Sequence, residues 1–215
     1  MAILGTFNGW NIVSLPCDTI ARVKHPASIE WDERDIVAVS TSPFTGQAQV
    51  YDWQASWWEG QVSFAALDRW SHDAWSAFLS SVRGPLNVFS LGDPKARKPK
   101  GSAPGDPLVD GAAQSGYTLA TRGWTPGAQN ILLFGDYLQV GYRLYKVTDD
   151  QVNADGDGKA SIAIWPPLRD LPADGTVIVT RNCKGLFRLK AAGGNKHSVN
   201  VGDYGLSGFA IREAL

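Results

Sequence analysis

This sequence has few cysteines and no excess of positive charge. The 215 residues include two cysteines, Cys17 and Cys183, which belong to no C-x-x-C motif or Cys/His cluster. A zinc site or a redox centre is therefore not expected. The 20 Lys and Arg residues are matched by 21 Asp and Glu residues, for a net charge of −1. Because a nucleic-acid-binding chain needs a basic excess to neutralise phosphates, we expect no specific nucleic-acid binding.

A long apolar run is missing from the start of the chain. The opening stretch, MAILGTFNGWNIVSLP, has no basic segment followed by an extended apolar segment. We therefore expect neither a signal peptide nor insertion into a membrane. The prediction is a protein that is made in the cytoplasm and stays there until it assembles with a partner.

Signatures of catalysis are missing as well. The sequence has no G-x-S-x-G elbow, P-loop, H-E-x-x-H or G-x-G-x-x-G motif, and its three histidines share no motif with a nucleophile. We expect no enzyme and no cofactor. In NADGDGKASIAI, Asn153, Asp155, Asp157 and Gly158 match a calcium loop, but Ile164 replaces the bidentate Glu. This stretch therefore predicts a turn between two strands.

Hydrophobic residues, glycine and tryptophan are plentiful. The chain is 44% hydrophobic and contains 23 Gly and 9 Trp, with 19% charged residues. This composition favours a turn-rich β protein with extensive buried or shared surface. The length is sufficient for one large domain or two small ones.

The first part of the chain reads as strands, with three tryptophans close together. In QAQVYDW, alternation places Gln47, Gln49, Tyr51 and Trp53 on one face. The next strand is WEGQVSF, and QASW between the two strands predicts a hairpin turn that sets Trp53 opposite Trp58.

One segment, LDRWSHDAWSAFLSSVRGP, has helical periodicity. Apolar residues recur at spacings of three and four, and they include Trp70, Trp75 and Phe78. Asp68 or Ser71 caps the predicted start, and Gly84-Pro85 follows the end. The strand LNVFSL comes next. We expect Trp70 and Trp75 to pack on the sheet.

Residues 92–116 are rich in Gly, Pro, Ser and Lys and predict a linker. Within it, KARKPK supplies Lys95, Arg97, Lys98 and Lys100, a candidate charged surface. No aromatic residues interleave with these charges, so a solvated loop is favoured over a phosphate-binding one. After the linker, short strands separated by Gly, Pro and Asp turns predict an antiparallel barrel or sandwich.

The tryptophan cluster admits three interpretations: a ligand platform, a core, or a subunit interface. A sugar or nucleotide platform needs aromatic rings on one exposed face, whereas Trp53, Trp57 and Trp58 must divide between faces. Core packing under the helix is favoured, and a subunit interface formed by these residues and Tyr51 is the alternative. Trp57 is the candidate for the outward-facing side chain.

Several segments, in order along the chain, resemble the distal tail proteins of long-tailed bacteriophages or a close tail-tip relative. They are SPFTGQAQVYDW, a W.G.VSF strand, the helix AWSAFLSSVRG, a strand ending in FSLGDP, and later RLYKVTDD and IWPPLR. The resemblance implies a mainly β fold, in which a β-sandwich belt domain with one flanking α-helix carries an inserted small β-barrel, OB-like or galectin-like. The belt comprises residues 1–92 with a returning strand at 204–215, residues 93–116 are the linker, and residues 117–203 form the barrel.

The function implied by this resemblance is structural. Such proteins form a homohexameric ring in the virion, at the distal end of the tail. The ring connects the tail tube protein to the baseplate hub protein and to receptor-binding proteins for host attachment. Two alternatives remain open: a carbohydrate- or receptor-binding module of the tail tip, and a subunit of the tail tube.

Overall fold

The structure, a computed structural model, describes residues 1–94, 96–191, 197–200 and 203–215. It is mainly β, with 45% strand and 9% helix, which confirms the predicted fold class. The chain divides into two compact units. The first comprises Met1–Asp32, Trp58–Asp93 and Lys184–Leu215, and the second comprises Glu33–Trp57 and Pro94–Cys183.

Short strands make up most of the described secondary structure. The strands are β1 (Ile3–Phe7), β2 (Trp10–Val13), β3 (Ser28–Arg34), β4 (Val37–Thr41), β5 (Ala48–Asp52), β6 (Trp57–Ser63), β7 (Val88–Leu91), β8 (Gly105–Val109), β9 (Gly116–Trp124), β10 (Leu132–Leu133), β11 (Tyr137–Val140), β12 (Arg143–Val147), β13 (Gln151–Val152), β14 (Ala160–Leu168), β15 (Ile178–Val179), β16 (Gly185–Leu189), β17 (His197–Asn200), β18 (Asp203–Leu206) and β19 (Phe209–Glu213). The described helices are α1 (Pro16–Thr19) and α2 (Arg69–Val82).

The first unit is built on a seven-stranded sheet with the order β1-β2-β7-β16-β19-β6-β3. Its centre joins segments that are distant in sequence, since β16 pairs with both β7 and β19. Gly60 allows β3 and β6 to approach closely: a Cβ at this position would lie 2.5 Å from the Glu30 carbonyl oxygen. A second, two-stranded sheet is formed by β17 and β18.

Helix α2 begins where the sequence predicted. Asp68 is the N-cap, and its Oδ1 accepts a hydrogen bond from the Ser71 N–H at 2.8 Å. The buried face runs through Ser71, His72, Trp75, Phe78, Leu79 and Val82. Trp70 lies one position off this face and is exposed, with the Arg22 guanidinium 5.6 Å from its ring centre. The prediction that Trp70 packs on the sheet is therefore wrong, whereas Trp75 is fully buried.

Aromatic side chains fill the core of the first unit beneath α2. Trp75 and Phe78 lie edge to face with ring centres 5.5 Å apart, and Phe78 and Phe89 do the same at 5.3 Å. Phe209, from the last strand, closes the cluster at 6.3 Å from Phe89. The Trp75 indole donates a hydrogen bond to the Lys24 carbonyl at 2.9 Å. Each such ring pair adds about 0.5–1.5 kcal/mol beyond the area it buries.

The main body of the second unit is a nearly closed, barrel-like sheet of six strands. Its order is β15-β11-β12-β14-β9-β8, and a bridge between Leu108 and Val177 brings its two edges together. The interior is mostly aliphatic and includes Val109, Leu119, Ile131, Leu138 and Ile162. These side chains are excluded from water, so this unit has its own hydrophobic core.

A cluster of charged side chains joins three segments of this barrel-like sheet. The Arg122 guanidinium lies 2.9 Å from the Asp110 carboxylate and 2.6 Å from that of Asp174. Arg122 holds the pKa of Asp174 below its usual value. Hydrogen bonds from Lys159 and then Arg122 lower the pKa of Asp110.

Three segments lie elsewhere than the sequence predicts. Strand β8 falls within the predicted linker at 93–116, and it pairs with β9 in the barrel-like sheet. Strand β16 falls within the predicted barrel at 117–203, yet it belongs to the seven-stranded sheet of the first unit. Residues 33–57, predicted as part of the belt, group with the second unit. These assignments depend on pairing between distant segments, which local patterns do not encode.

Candidate self-assembly surface

A two-stranded hairpin, here called the arm, comprises residues 36–53 of the second unit. Strands β4 and β5 pair antiparallel, from Val37 opposite Asp52 to Thr41 opposite Ala48. The Trp53 N–H donates to the Ile36 carbonyl at 3.3 Å, which extends the pairing by one position. The two strands form a sheet of their own, with no third strand beside them among the described residues.

The tip of the arm turns through Ser42 to Gln47. The Ser42 N–H donates to the Gln47 carbonyl at 2.9 Å, and the Gly46 N–H donates to the Ser42 carbonyl at 3.0 Å. Gly46 has φ of +69°, a left-handed conformation that glycine adopts without a steric penalty. The hairpin turn predicted at QASW is therefore wrong. The turn lies earlier in the chain, where Gly46 supplies the required backbone geometry.

Carboxylates at the base of the arm attach it to the barrel-like sheet of the same unit. The contacts join Lys146 Nζ to Glu33 Oε1 at 2.7 Å, Trp165 Nε1 to Asp35 Oδ1 at 2.9 Å, and Tyr117 Oη to Asp52 Oδ2 at 3.0 Å. Burial raises the pKa of Tyr117, and the neighbouring Asp52 carboxylate adds to this increase. The phenol therefore remains protonated at neutral pH and donates a hydrogen bond to the Asp52 carboxylate.

The two faces of the arm differ in chemistry. Cross-strand partners share a face, so one face carries Val37, Val39 and Val50, with Thr41 and Ala48 near the tip and Asp52 at the base. The opposite face carries Tyr51 and Trp53 near the base and the glutamines Gln47 and Gln49 near the tip, as the alternation in QAQVYDW predicts. The rings of Tyr51 and Trp53 are 4.8 Å apart and nearly perpendicular, at 72°.

The apolar side chains on both faces of the arm are exposed to solvent in the single chain. Val39 and Val50 are each 63% exposed, Trp53 is 60% exposed and Phe44, at the tip, is 95% exposed. Residues 36–51 contain no charged side chain. Soluble proteins protect strand edges with lysine, proline or inward-pointing charge. Strands β4 and β5 contain no lysine or proline, and their charged residue, Asp52, lies at the base of the arm. The arm is thus an unprotected β surface.

The three clustered tryptophans have three different environments. Trp58 is 1% exposed and packs edge to face against Trp31, with ring centres 5.6 Å apart. Trp58 is therefore a core residue and cannot contribute its side chain to a subunit interface, which corrects that part of the prediction. Trp57 is half-buried at the start of β6, so Trp53, not Trp57, is the more exposed member. Trp53 and Tyr51 remain interface candidates.

The predicted charged surface is only partly available. Arg97 and Lys98 are exposed. Lys100 is engaged locally: its ammonium donates to the Phe134 carbonyl at 3.0 Å and lies 4.7 Å from the centre of that ring. Lys95 lies outside the described residues.

The calcium-like stretch forms the turn that the sequence predicted. Asp155 Oδ1 accepts hydrogen bonds from the backbone N–H groups of Asp157 at 2.9 Å and Lys159 at 2.7 Å. The carboxylate therefore serves to shape the turn between β13 and β14. Within the described ranges, no group of three or more His, Cys, Asp or Glu residues is placed to hold a metal ion.

The exposed valines and Phe44 were missed as candidate interface residues, although the sequence carries a signal for them. A run of 16 residues without charge and with strand-like alternation indicates a β surface that is unfavourable when exposed to solvent. Comparison with known proteins adds no assignment: no protein-family model matches the chain, and no curated protein matches it. Neither helix in the described part of the chain has the length and apolar character to span a bilayer.

Proposed function

We propose that this chain is a self-assembling structural protein, the ring subunit at the distal end of a long-tailed bacteriophage tail. Self-association is supported by one observation above all: the arm carries no charge from residue 36 to residue 51 and exposes apolar side chains on both faces. The hexameric ring, the tail tube and hub as neighbours, and the receptor-binding components are supported by the resemblance of the segments described above.

The size of the exposed surface supports a protein partner. Seven apolar or aromatic side chains of the arm are exposed, namely Ile36, Val37, Val39, Phe44, Val50, Tyr51 and Trp53. Each of them is more than 40% exposed. These side chains are divided between the two faces and the tip of the arm, and groups of exposed apolar side chains often mark sites that bind another protein.

The geometry of the arm favours assembly over carbohydrate binding. Sugars stack on flat aromatic faces with hydrogen-bonding groups alongside, whereas Tyr51 and Trp53 are nearly perpendicular at 72°. On the other face, Val37, Val39 and Val50 offer a sugar no side-chain hydrogen bond, and the polar side chains Thr41 and Asp52 lie only at the two ends of that face. Asp52 already accepts a hydrogen bond from Tyr117. A second polypeptide can pack against these valines and pair with the strand edges.

The proposal is tested by placing a charge on the arm. Val50→Asp should convert the assembly into single chains, because an unpaired carboxylate would be buried at a cost of several kcal/mol. Val177→Asp is the matched control, since Val177 is also 63% exposed and lies outside the arm. Size-exclusion chromatography with light scattering should give six chain masses for the unmodified protein and for Val177→Asp.

Electron microscopy of the same samples should show six-fold rings with a central hole, absent for Val50→Asp. Assembly of Val50→Asp into the same rings, or an unmodified protein that stays a single chain at high concentration, would contradict the proposal. Labelling virions with a gold-conjugated antibody against this chain distinguishes a ring subunit from a tube subunit. Label at the tail tip supports a ring subunit, and label along the tail supports a tube subunit.

A further inference from the structure

Charge is missing from two long stretches of this chain. The longest runs without Asp, Glu, Lys or Arg are residues 1–17 and residues 36–51. The second run forms nearly all of the arm. The first run contains β1 and β2, and β1 is an edge strand of the seven-stranded sheet.

The two edges of that sheet are protected differently. Strand β3, at one edge, carries Glu30, Asp32 and Arg34, which discourage pairing with another strand. Strand β1, at the other edge, carries no charge, and its apolar residues Ile3 and Leu4 are exposed. Because Ile3 and Leu4 are adjacent in a strand, they present apolar surface on both sides of the edge.

A cleft borders this unprotected edge. It has a volume of about 530 Å³ and lies between the β1–β2 hairpin and the C-terminal end of α2. Ile3 and Trp10 line one side of it, and Leu86 lines the other. These three side chains are each more than a third exposed and can contact apolar groups. The rest of the lining is largely polar and includes Ser80, Arg83 and Asn87.

We infer that the β1 edge with its cleft, here called the acceptor edge, binds the arm of a second copy of this chain. Strand β1 and residues 36–51 of the arm carry no charge, and charge is depleted at the centre of protein interfaces. The nearest charged side chains are Asp52, at the base of the arm, and Arg83, in the lining of the cleft. Strands β1, β4 and β5 are each five residues long. Strand β4 or β5 of one chain could therefore pair with β1 of another chain along its full length. Pairing would satisfy backbone groups at both edges and cover Ile3 and Leu4 together with the valines of the arm.

A second copy is favoured over other occupants because each chain carries one arm and one acceptor edge. The two surfaces differ, so each contact is head-to-tail, and repeated contacts close into a ring or extend as a filament. A symmetric contact between two arms would leave the acceptor edge exposed. The inference rests on the self-association part of the proposed function and specifies which surfaces meet.

Mixing two assembly-defective variants tests the pairing. Val50→Asp disables the arm and leaves the acceptor edge intact, whereas Leu4→Asp does the reverse. Each variant alone should run as a single chain. An equimolar mixture should form a species of two chains and no larger one, because only the arm of Leu4→Asp and the acceptor edge of Val50→Asp remain functional. Native mass spectrometry with ¹⁵N-labelled Leu4→Asp should show one labelled and one unlabelled chain in that species.

The matched control is Leu171→Asp, since Leu171 and Leu4 are both 62% exposed. It should assemble as the unmodified protein does, and circular dichroism should show that all the variants are folded. Ile3→Asp should behave as Leu4→Asp does, and it replaces that variant if Leu4→Asp fails to fold.

The outcomes separate this inference from the proposed function. If Leu4→Asp forms rings by itself, or if the mixture stays as single chains, the acceptor edge does not bind the arm, although the ring proposal can stand. If the mixture forms the two-chain species while the unmodified protein forms filaments or rings of another number, the pairing is supported and the hexameric ring is overturned.

Discussion

At the scale of single residues, neighbouring tryptophans have opposite roles. Trp58 lies in the core of the first unit, where its backbone N–H donates to the buried Glu213 carboxylate at 3.2 Å. Trp53 lies on the arm in water. The same side chain is thus a packing residue at one position and an interface candidate five positions earlier.

We expect Trp58→Ala to lower the free energy of unfolding by about 3–5 kcal/mol, because it leaves a cavity in a packed core. Trp53→Ala should change this free energy by less than about 0.5 kcal/mol, since an exposed side chain loses little contact. Urea unfolding should be measured in the Val50→Asp background, so that assembly does not contribute. A loss of several kcal/mol for Trp53→Ala would show that Trp53 packs within its own chain.

Among the secondary-structure elements, helix α2 depends on a charged cap at its first turn. Asp68 accepts hydrogen bonds from both the Ser71 backbone N–H and the Ser71 hydroxyl. The bond from the backbone N–H is the main reason that the pKa of Asp68 is lowered from 3.8. A carboxylate at this position also interacts favourably with the helix dipole.

Asp68→Ala should lower the melting temperature at pH 7, whereas Asp68→Asn should keep most of the cap. Because folding lowers the pKa of Asp68, the stabilisation is present above about pH 4 and is lost as the pH falls further through the folded-state value. The difference in melting temperature between the unmodified protein and Asp68→Ala should therefore shrink below pH 4. A difference that is constant from pH 7 to pH 2 would contradict the ionised cap.

The arm and β1 are elements of a different kind, because neither is stabilised by burial of its exposed side chains within one chain. An isolated two-stranded hairpin is marginal in water. The attachments through Glu33, Asp35 and Asp52 position the base of the arm, and packing on a second chain would stabilise the rest. Contacts within the chain thus set the position of the arm, whereas its stability would depend on contact with a second chain.

For the whole molecule, assembly couples stability to concentration. A contact that forms only between folded chains stabilises the folded state by mass action. A tenfold increase in concentration should raise the melting temperature of the unmodified protein by about 2–4 °C, the shift expected from ~1 kcal/mol in a chain of this size. Val50→Asp should show no such shift in differential scanning fluorimetry. A melting temperature that is independent of concentration for both proteins would indicate that folded chains do not associate.

The sequence alone was sufficient for features that depend on local chemistry. It predicted a mainly β chain from its composition, a helix cap at Asp68 or Ser71, the shared face of Tyr51 and Trp53, and the turn at Asp155. Each of these follows from side chains within a few positions of one another, where backbone preference and periodicity act directly.

Only the tertiary structure decided how the tryptophan cluster is used. Strand β6, which holds Trp57 and Trp58, pairs with β19 near the C-terminus and does not fold back on the arm. That choice depends on a contact between segments about 150 residues apart, and the local pattern of β6 suits either partner equally well. Once β6 joins the seven-stranded sheet, Trp58 is buried by Trp31. No further strand lies beside the arm in the described part of the chain, and Trp53 stays exposed to solvent.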